Sequence, residues 1–590
     1  MLNLKSRCET SFGRLYKLFN TCTLTEKLIL IVSILILIIS GFGLLNQVNR
    51  LITTEIPAKG GVLSEGLIGS PRFINPLLEL SDSDRDLSYL IYSGLMKATA
   101  DGKLIPDLAK NYSISPDGLT YTFELKDNIY FHDGEKVTTD DIEYTIDMAQ
   151  NVALRSPKRT NWTGITINKI SNKKISFILK QPYSPFLENT TIGILPKHIW
   201  SSATVEEFPF SPFNIDAVGS GPYKIKQINR NGSGIPTSFE MTAFNRYALG
   251  EPYITNLVLR FYNNEKALND ALISGEVEST STLSPQTLDE LKNKIDNINE
   301  RVSLPRIFGL FFNQNQNKIF LNKEVRQALS LTVDKDRIVR EVLDGYGETI
   351  NSPIPTGILA TIGSASTTTF NKDQALTEAK AILSKAGWKF NETTKVWEKT
   401  INKNEKQNLA FSISTSNADD LKKTAEILKQ TWAELGAQVE IQTFDQSDLN
   451  QTVIASRNYD SLLFGQVVGR SLDLFAFWHS SQRLTGYNVA LYTNSKVDKL
   501  LEDSRQTTDL DKRIKDYSLF QTEIKNDVPA IFIYSPQFIY SLPDKIKGFD
   551  SGLINNRSER FEQINRWYIE TDNVWKFLTN LNFIKNLIKI

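Results

Sequence analysis

Cysteine is almost absent from this chain of 590 residues: Cys8 and Cys22 are the only two, and both precede residue 28. No disulfide framework can therefore hold the remainder, and a chain this long has core enough not to need one. Histidine is as scarce. His132, His198 and His479 are the only three, and no two are spaced as a metal pair, so a zinc or nickel site built from side chains is not expected. No Gly-x-Ser-x-Gly elbow and no His-Glu-x-x-His is present. Neither sign of charge is in excess: 67 Lys plus Arg stand against 67 Asp plus Glu. That balance removes the basic face on which nucleic acid binding relies. These absences predict a chain that is not an enzyme, carries no cofactor and has no nucleic-acid partner.

Long apolar runs are also lacking, with one exception. Hydrophobic residues make up 41% of the chain and the mean hydropathy is −0.26, which suits a soluble body of two or three domains. The exception is residues 28–45, LILIVSILILIISGFGLL, 18 residues without a charge and about the minimum for a membrane-spanning helix. Lys5, Arg7, Arg14, Lys17 and Lys27 precede it, while only Arg50 and Lys59 follow closely. The positive-inside rule then puts residues 1–27 in the cytoplasm and everything after about residue 46 outside. A cleaved signal peptide is the alternative, but Gly41-Phe42-Gly43 is a poor cleavage site and the run is long for a signal core. Residues 46–59 read as a polar linker and 573–590 as a basic amphipathic tail, either a terminal helix on the body or an interfacial membrane helix.

The most legible stretch runs from Ile105 to Met148. Ser115-Pro116-Asp117-Gly118 offers the proline and glycine of a tight turn. From Leu119 to Leu125, Tyr121, Phe123 and Leu125 alternate with Thr120, Thr122 and Glu124, as in a half-buried strand. Ile129-Tyr130-Phe131 reads as a further short strand. Thr138 is the expected N-cap of a helix, with Asp141 completing a capping box. Downstream, Leu409 to Phe444 reads as strand, helix and strand, the helix from Asp419 to Leu435 stopped by Gly436, which implies a doubly wound segment.

Pro106-Asp107-Leu108-Ala109, the Ser115–Gly118 turn, the aromatic strand, Phe131-His132-Asp133-Gly134 and the Thr138 helix start together resemble the extracellular solute-binding proteins, family 5, of ABC importers. Gly219-Ser220-Gly221-Pro222-Tyr223, which is no phosphate-binding loop, the Val325–Leu329 run and Asp473–Gln482 are similar to further elements of that family. The resemblance covers roughly residues 60–572. It implies an α/β, bilobal periplasmic-binding-protein fold (class II, three-segment peptide-binding type) behind an N-terminal transmembrane helix. It implies lobe I from 60–95, 219–305 and 530–572, a smaller lobe II at 96–218 and lobe III at 306–529. The expected function is capture of an oligopeptide or similar solute outside the membrane, by closure of two lobes, for an ABC permease and its ATPase subunits. A monomer held at the cell membrane by one helix is expected. Alternatives are a sensor or adhesion protein on the same fold, or a non-peptide ligand.

The resemblance also implies a cleft. Leu80, Ser81 and Asp82 on one side and Gly465, Gln466 and Val467 on the other are expected to lie as strands along a bound peptide, with Trp478 and Tyr487 in nearby loops. At about Gly469, similar peptide-binding members carry an aspartate for the ligand's ammonium. Glycine supplies no charge, and the neighbouring Arg470 would attract a carboxylate, so a free amine is expected to be dispensable unless Asp473 or Asp82 substitutes. His132-Asp133 carries no catalytic expectation, because adjacent strand residues face apart.

Overall fold

The computed structural model describes residues 21, 23–291, 294–295, 297–355, 370–402, 405–550, 552 and 554–576. The chain divides into two compact units, residues 1–59 with 570–590, and residues 60–569.

In the first unit a helix runs from Leu24 to Ile52, earlier and longer than the apolar run alone predicts. Its start is fixed by a capping box: Thr23 N donates to Glu26 Oε2 at 2.8 Å, satisfying one of the orphan donors of the first turn. Leu24–Leu44 has a mean hydropathy of 2.6 and the length to cross a membrane. The expected polar linker is not a coil. The helix continues through Ile52, and Thr53–Pro57 forms a strand antiparallel to Thr571–Trp575. The expected amphipathic tail thus begins as a strand, and residues 577–590 lie outside the described residues.

The second unit is organised by a 12-stranded sheet. In one half, Gly60–Ile68 pairs in parallel with Ile254–Tyr262, which continues into the antiparallel strands Pro236–Ala243 and Tyr223–Arg230. In the other half, Arg306–Phe312 pairs antiparallel with Ser461–Val467, and Ala410–Ser416 pairs in parallel with Gln438–Phe444 across the helix Asp419–Leu435. The 14-residue strand Ala530–Pro543 joins the halves. Its first residues pair with Arg306–Phe312, and its last pair with Asn297–Ser303. A separate four-stranded sheet, built on Thr120–Leu125, holds the stretch that is clearest in sequence. Tyr121, Phe123 and Leu125 are buried on its inner face, as the alternation predicts.

Two further expectations fail for local reasons. Ile129–Phe131 makes only a single bridge, Tyr130 to Lys136, and no strand. Leu80–Ser83 is not a strand beside a ligand. Ser81 caps the helix Asp82–Ile91, its side chain accepting from Asp84 N while Asp84 closes the box. At Gly219 and Gly221 the chain has no room for a side chain. A Cβ on Gly219 would overlap the Ile91 carbonyl oxygen, and one on Gly221 would stand 2.6 Å from the Ile91 carbonyl carbon, so these glycines let two backbones touch.

Candidate functional site

Five separate stretches of chain wall a cavity of about 270 Å³. The helix Asp82–Ile91 brings Ser88 and Tyr89, with Tyr92 just past its end, and the short helix Phe186–Asn189 brings Glu188. The turn after strand Ser461–Val467 brings Arg470, and residues 555–562 bring Asn555, Glu559 and Glu562. Lys158 closes one side, paired to Glu79 at 2.8 Å.

Arg470 is the hub. Its Nη2 lies 2.6 Å from Glu559 and 3.5 Å from Glu562, and its Nη1 lies 3.7 Å from Glu188. Its backbone N–H donates to Asn555 Oδ1 at 2.6 Å, while Asn555 Nδ2 donates to Glu188 at 2.8 Å and Asn555 N–H to Glu559 at 2.6 Å. Tyr89 OH donates to Glu559 at 3.2 Å. Burial raises the Glu559 carboxyl above its ordinary range, and burial with the neighbouring Glu559 pushes Glu562 up to about 8 against the pull of Arg470 and Lys97. Burial is the first cause in each case because the charged form loses water there. Tyr92 Oη and Ser88 Oγ are buried in the wall without a hydrogen-bond partner among the described residues. An unpaired buried polar group costs free energy that a bound donor or acceptor would recover.

Behind this wall lies a second network. Arg560 pairs with Glu65 and with Asp86, each at 2.7 Å, and all three are fully or almost fully buried. Tyr540 OH donates to the second Glu65 oxygen at 2.8 Å. This network fastens the helix Asp82–Ile91 and residues 557–561 to the central strand Gly60–Ile68, and so fixes where the cavity wall stands.

Of the ten residues predicted to meet a ligand, only Arg470 lines the cavity. Its guanidinium is already surrounded by three glutamates. Asp473 accepts from Tyr183 OH at 3.1 Å and Arg505 at 2.8 Å, and Asp82 pairs with Arg85, so both proposed substitutes for the ammonium anchor are engaged. Trp478 is 1% exposed and packs on Phe311, Phe520 and Phe532, which makes it core. Tyr487 is exposed near Phe477, and Leu80 is exposed too.

Gly465, Gln466 and Val467 lie on the strand that pairs with Arg306–Phe312. On its other edge, Ala410–Ser416 pairs only with Ser461 and Leu462. Beyond Leu462 that edge has no strand partner among the described residues, and Thr415 Oγ1 reaches only Leu463 O. Gly469, just past the strand, has φ +73°, a backbone region that favours glycine over the aspartate expected there. Glu188, Asn555, Glu559 and Glu562 carried no motif. A charged run near residue 560 was the only signal of them in sequence.

His132 has a different role from the one a His-Asp pair suggests. Gly219 N–H donates to its Nδ1, so Nε2 carries the proton and donates to Gly221 O at 3.1 Å. Burial lowers its pKa to about 4, and the neutral ring pins the Gly219–Gly221 crossing. Asp133 pairs instead with His198, at 2.7 Å.

Residues 103–487, more than half the chain, match the family described as bacterial extracellular solute-binding proteins, family 5. The chain belongs to that family. Among curated relatives, this solute-binding protein is 26% identical over 499 residues to the oligopeptide-binding protein AppA of Bacillus subtilis, covering 84% of this chain and 89% of that one. It is 24% identical over 513 residues to the dipeptide-binding protein of Escherichia coli, covering 82% and 90%. Among solved structures, the ABC transporter substrate binding protein CtaP of Listeria monocytogenes superposes with a TM-score of 0.71 at 25% identity, covering 87% of this chain and 99% of that one. AppA of Bacillus subtilis, solved with a nonapeptide, gives 0.63 at 23% identity, covering 87% and 100%, a likeness of fold. The bilobal α/β architecture expected from sequence is the architecture of these proteins.

Proposed function

We propose that this solute-binding protein captures peptides outside the membrane and hands them unchanged to an ABC permease, with Leu24–Ile52 retained as its anchor. The observation that carries the reading is the cavity, because segments distant in sequence meet there around Arg470 and would part if the lobes opened about a hinge. Tyr183 and the Ser184 N–H already reach across to Asp473 and the Arg505 carbonyl, contacts suited to a closed state. Peptide binding is supported by the unpaired strand edge beyond Leu462, which offers backbone groups to any peptide regardless of sequence. Relatives bearing oligopeptide- and dipeptide-binding names support the same ligand class. Lobes I, II and III, as bounded from sequence, are the moving parts in this reading.

Charge refines the ligand. Glu79, Glu188, Glu559 and Glu562 line the cavity with Lys158 and Arg470, and with Glu562 largely protonated near neutral pH the charged acids exceed the bases by at most one. The expectation of a carboxylate on Arg470 gives way to a positively charged group of the peptide, either its amine or a basic side chain. Calorimetry with tetra-alanine, its N-acetyl form and an N-acetyl form carrying one lysine tests this. Removing the last positive charge should cost tenfold or more in affinity, about 1.4 kcal/mol. Equal affinity for all three would refute the charge assignment.

A further inference from the structure

Three arginines stand beside three walls of the cavity, just outside its lining. On the helix Asp82–Ile91, Arg85 precedes Ser88 and Tyr89 by three and four residues, so it shares the face that walls the cavity, one turn nearer the helix start. Arg557 opens the short helix Arg557–Phe561, whose third residue is Glu559. Arg306 begins its strand opposite Val467, three residues before Arg470 in that neighbouring stretch.

The charges of these arginines bear on one another with little to offset them. Burial lowers the pKa of Arg306, the charge of Arg557 lowers it further, Asp82 opposes both, and Arg85 lowers it again. Asp82 is the acid set among them, and Arg85 Nη2 already holds it at 2.5 Å. Arg85 Nη1 is spent on Leu80 O at 2.7 Å. The guanidiniums of Arg306 and Arg557 have no hydrogen-bond or ion-pair partner among the described residues, and Arg306 Nε is buried without one. Arg557 lies over the Phe538 ring, 6.0 Å from its centroid. Like charges held half-buried and unpaired cost free energy that an anion would recover, and the planar fork of arginine matches a carboxylate.

We propose that Arg306 and Arg557, with Arg85 beside them, form a carboxylate subsite of the ligand cleft, separate from the glutamates around Arg470. This deepens the peptide-capture reading above and rests on it. At about 1.5 Å of rise per residue, Arg85 stands roughly 5–10 Å along the helix from Ser88 and Tyr92, so one short peptide can reach both poles. The open strand edge beyond Leu462 leads to Val467 and thus to Arg306, which brings one end of a peptide laid on that edge to the arginines.

The test is calorimetry on the full chain in detergent with tetra-alanine, its C-terminal amide, and the amide of Ala-Ala-Ala-Glu. Amidation of tetra-alanine should weaken binding tenfold or more. In the chain carrying Arg306→Gln and Arg557→Gln, the free acid should fall to the affinity of its amide while the amide is unchanged. Recovery of affinity by the glutamate-bearing amide on the unsubstituted chain would show that a side chain can supply the carboxylate, and continued weakness would assign the subsite to the peptide's C-terminus. Equal affinity for tetra-alanine and its amide on the unsubstituted chain, or an acid preference that survives both substitutions, would overturn the subsite and leave peptide capture standing. Binding of none of the three would overturn peptide capture and the subsite together.

Discussion

Arg560 sits where water cannot reach it, with one carboxylate from Glu65 and another from Asp86. Truncating it would strand two buried acids, so Arg560→Ala is expected to cost about 3–5 kcal/mol, read as a lower urea midpoint. Glu562 gives a pH signature. Its folded value, about 8, stands above its ordinary 4.5, with Glu559, Glu188, Arg470 and Lys97 around it. The contribution of this residue to stability is thus present in full below about 4.5 and lost as pH rises through about 8. Glu562→Gln should therefore narrow the stability difference between pH 6 and pH 8.5 seen by chemical denaturation; an unchanged difference would contradict the assignment. At this scale sequence was informative only where the cause was local. Thr138 and Asp141 form their capping box as predicted, since both partners lie within one turn. Whether Trp478 faced a cleft or a core, and whether Arg470 faced a ligand or three glutamates, depended on residues far away in the chain.

Elements followed the same division. The helix Asp419–Leu435 has the end that Gly436 predicts, with that glycine in the left-handed region. Thr138→Ala should cost about 1 kcal/mol through the loss of its cap, measured by thermal unfolding. Other misread elements have a form set by a neighbour. Residues 53–57 became a strand because 571–575 supply the partner, a pairing no local pattern announces. The Gly219–Gly221 crossing was visible as a glycine cluster, yet its reason, contact with the backbone at Ile91, was not. Gly221→Ala should destabilise by about 1–3 kcal/mol, as overpacking does, and the loss should appear in the denaturant midpoint.

At the scale of the molecule, the family and its fold were legible because short motifs in register spanned most of the body. The binding residues were not, because a cavity walled by segments near residues 88, 188, 470 and 559 exists only after folding. The proposed orientation rests on charge around the apolar run. A membrane-impermeant thiol reagent on intact cells should leave Cys8 and Cys22 unlabelled, and labelling without permeabilisation would reverse the topology. What the cavity holds decides whether this is a peptide-capturing protein. Protein isolated gently from its own membrane, then denatured, should release intact short peptides bearing a positive charge, identified by mass spectrometry. Release of a non-peptide solute, or of peptides shortened by incubation with the protein, would contradict capture of intact peptides.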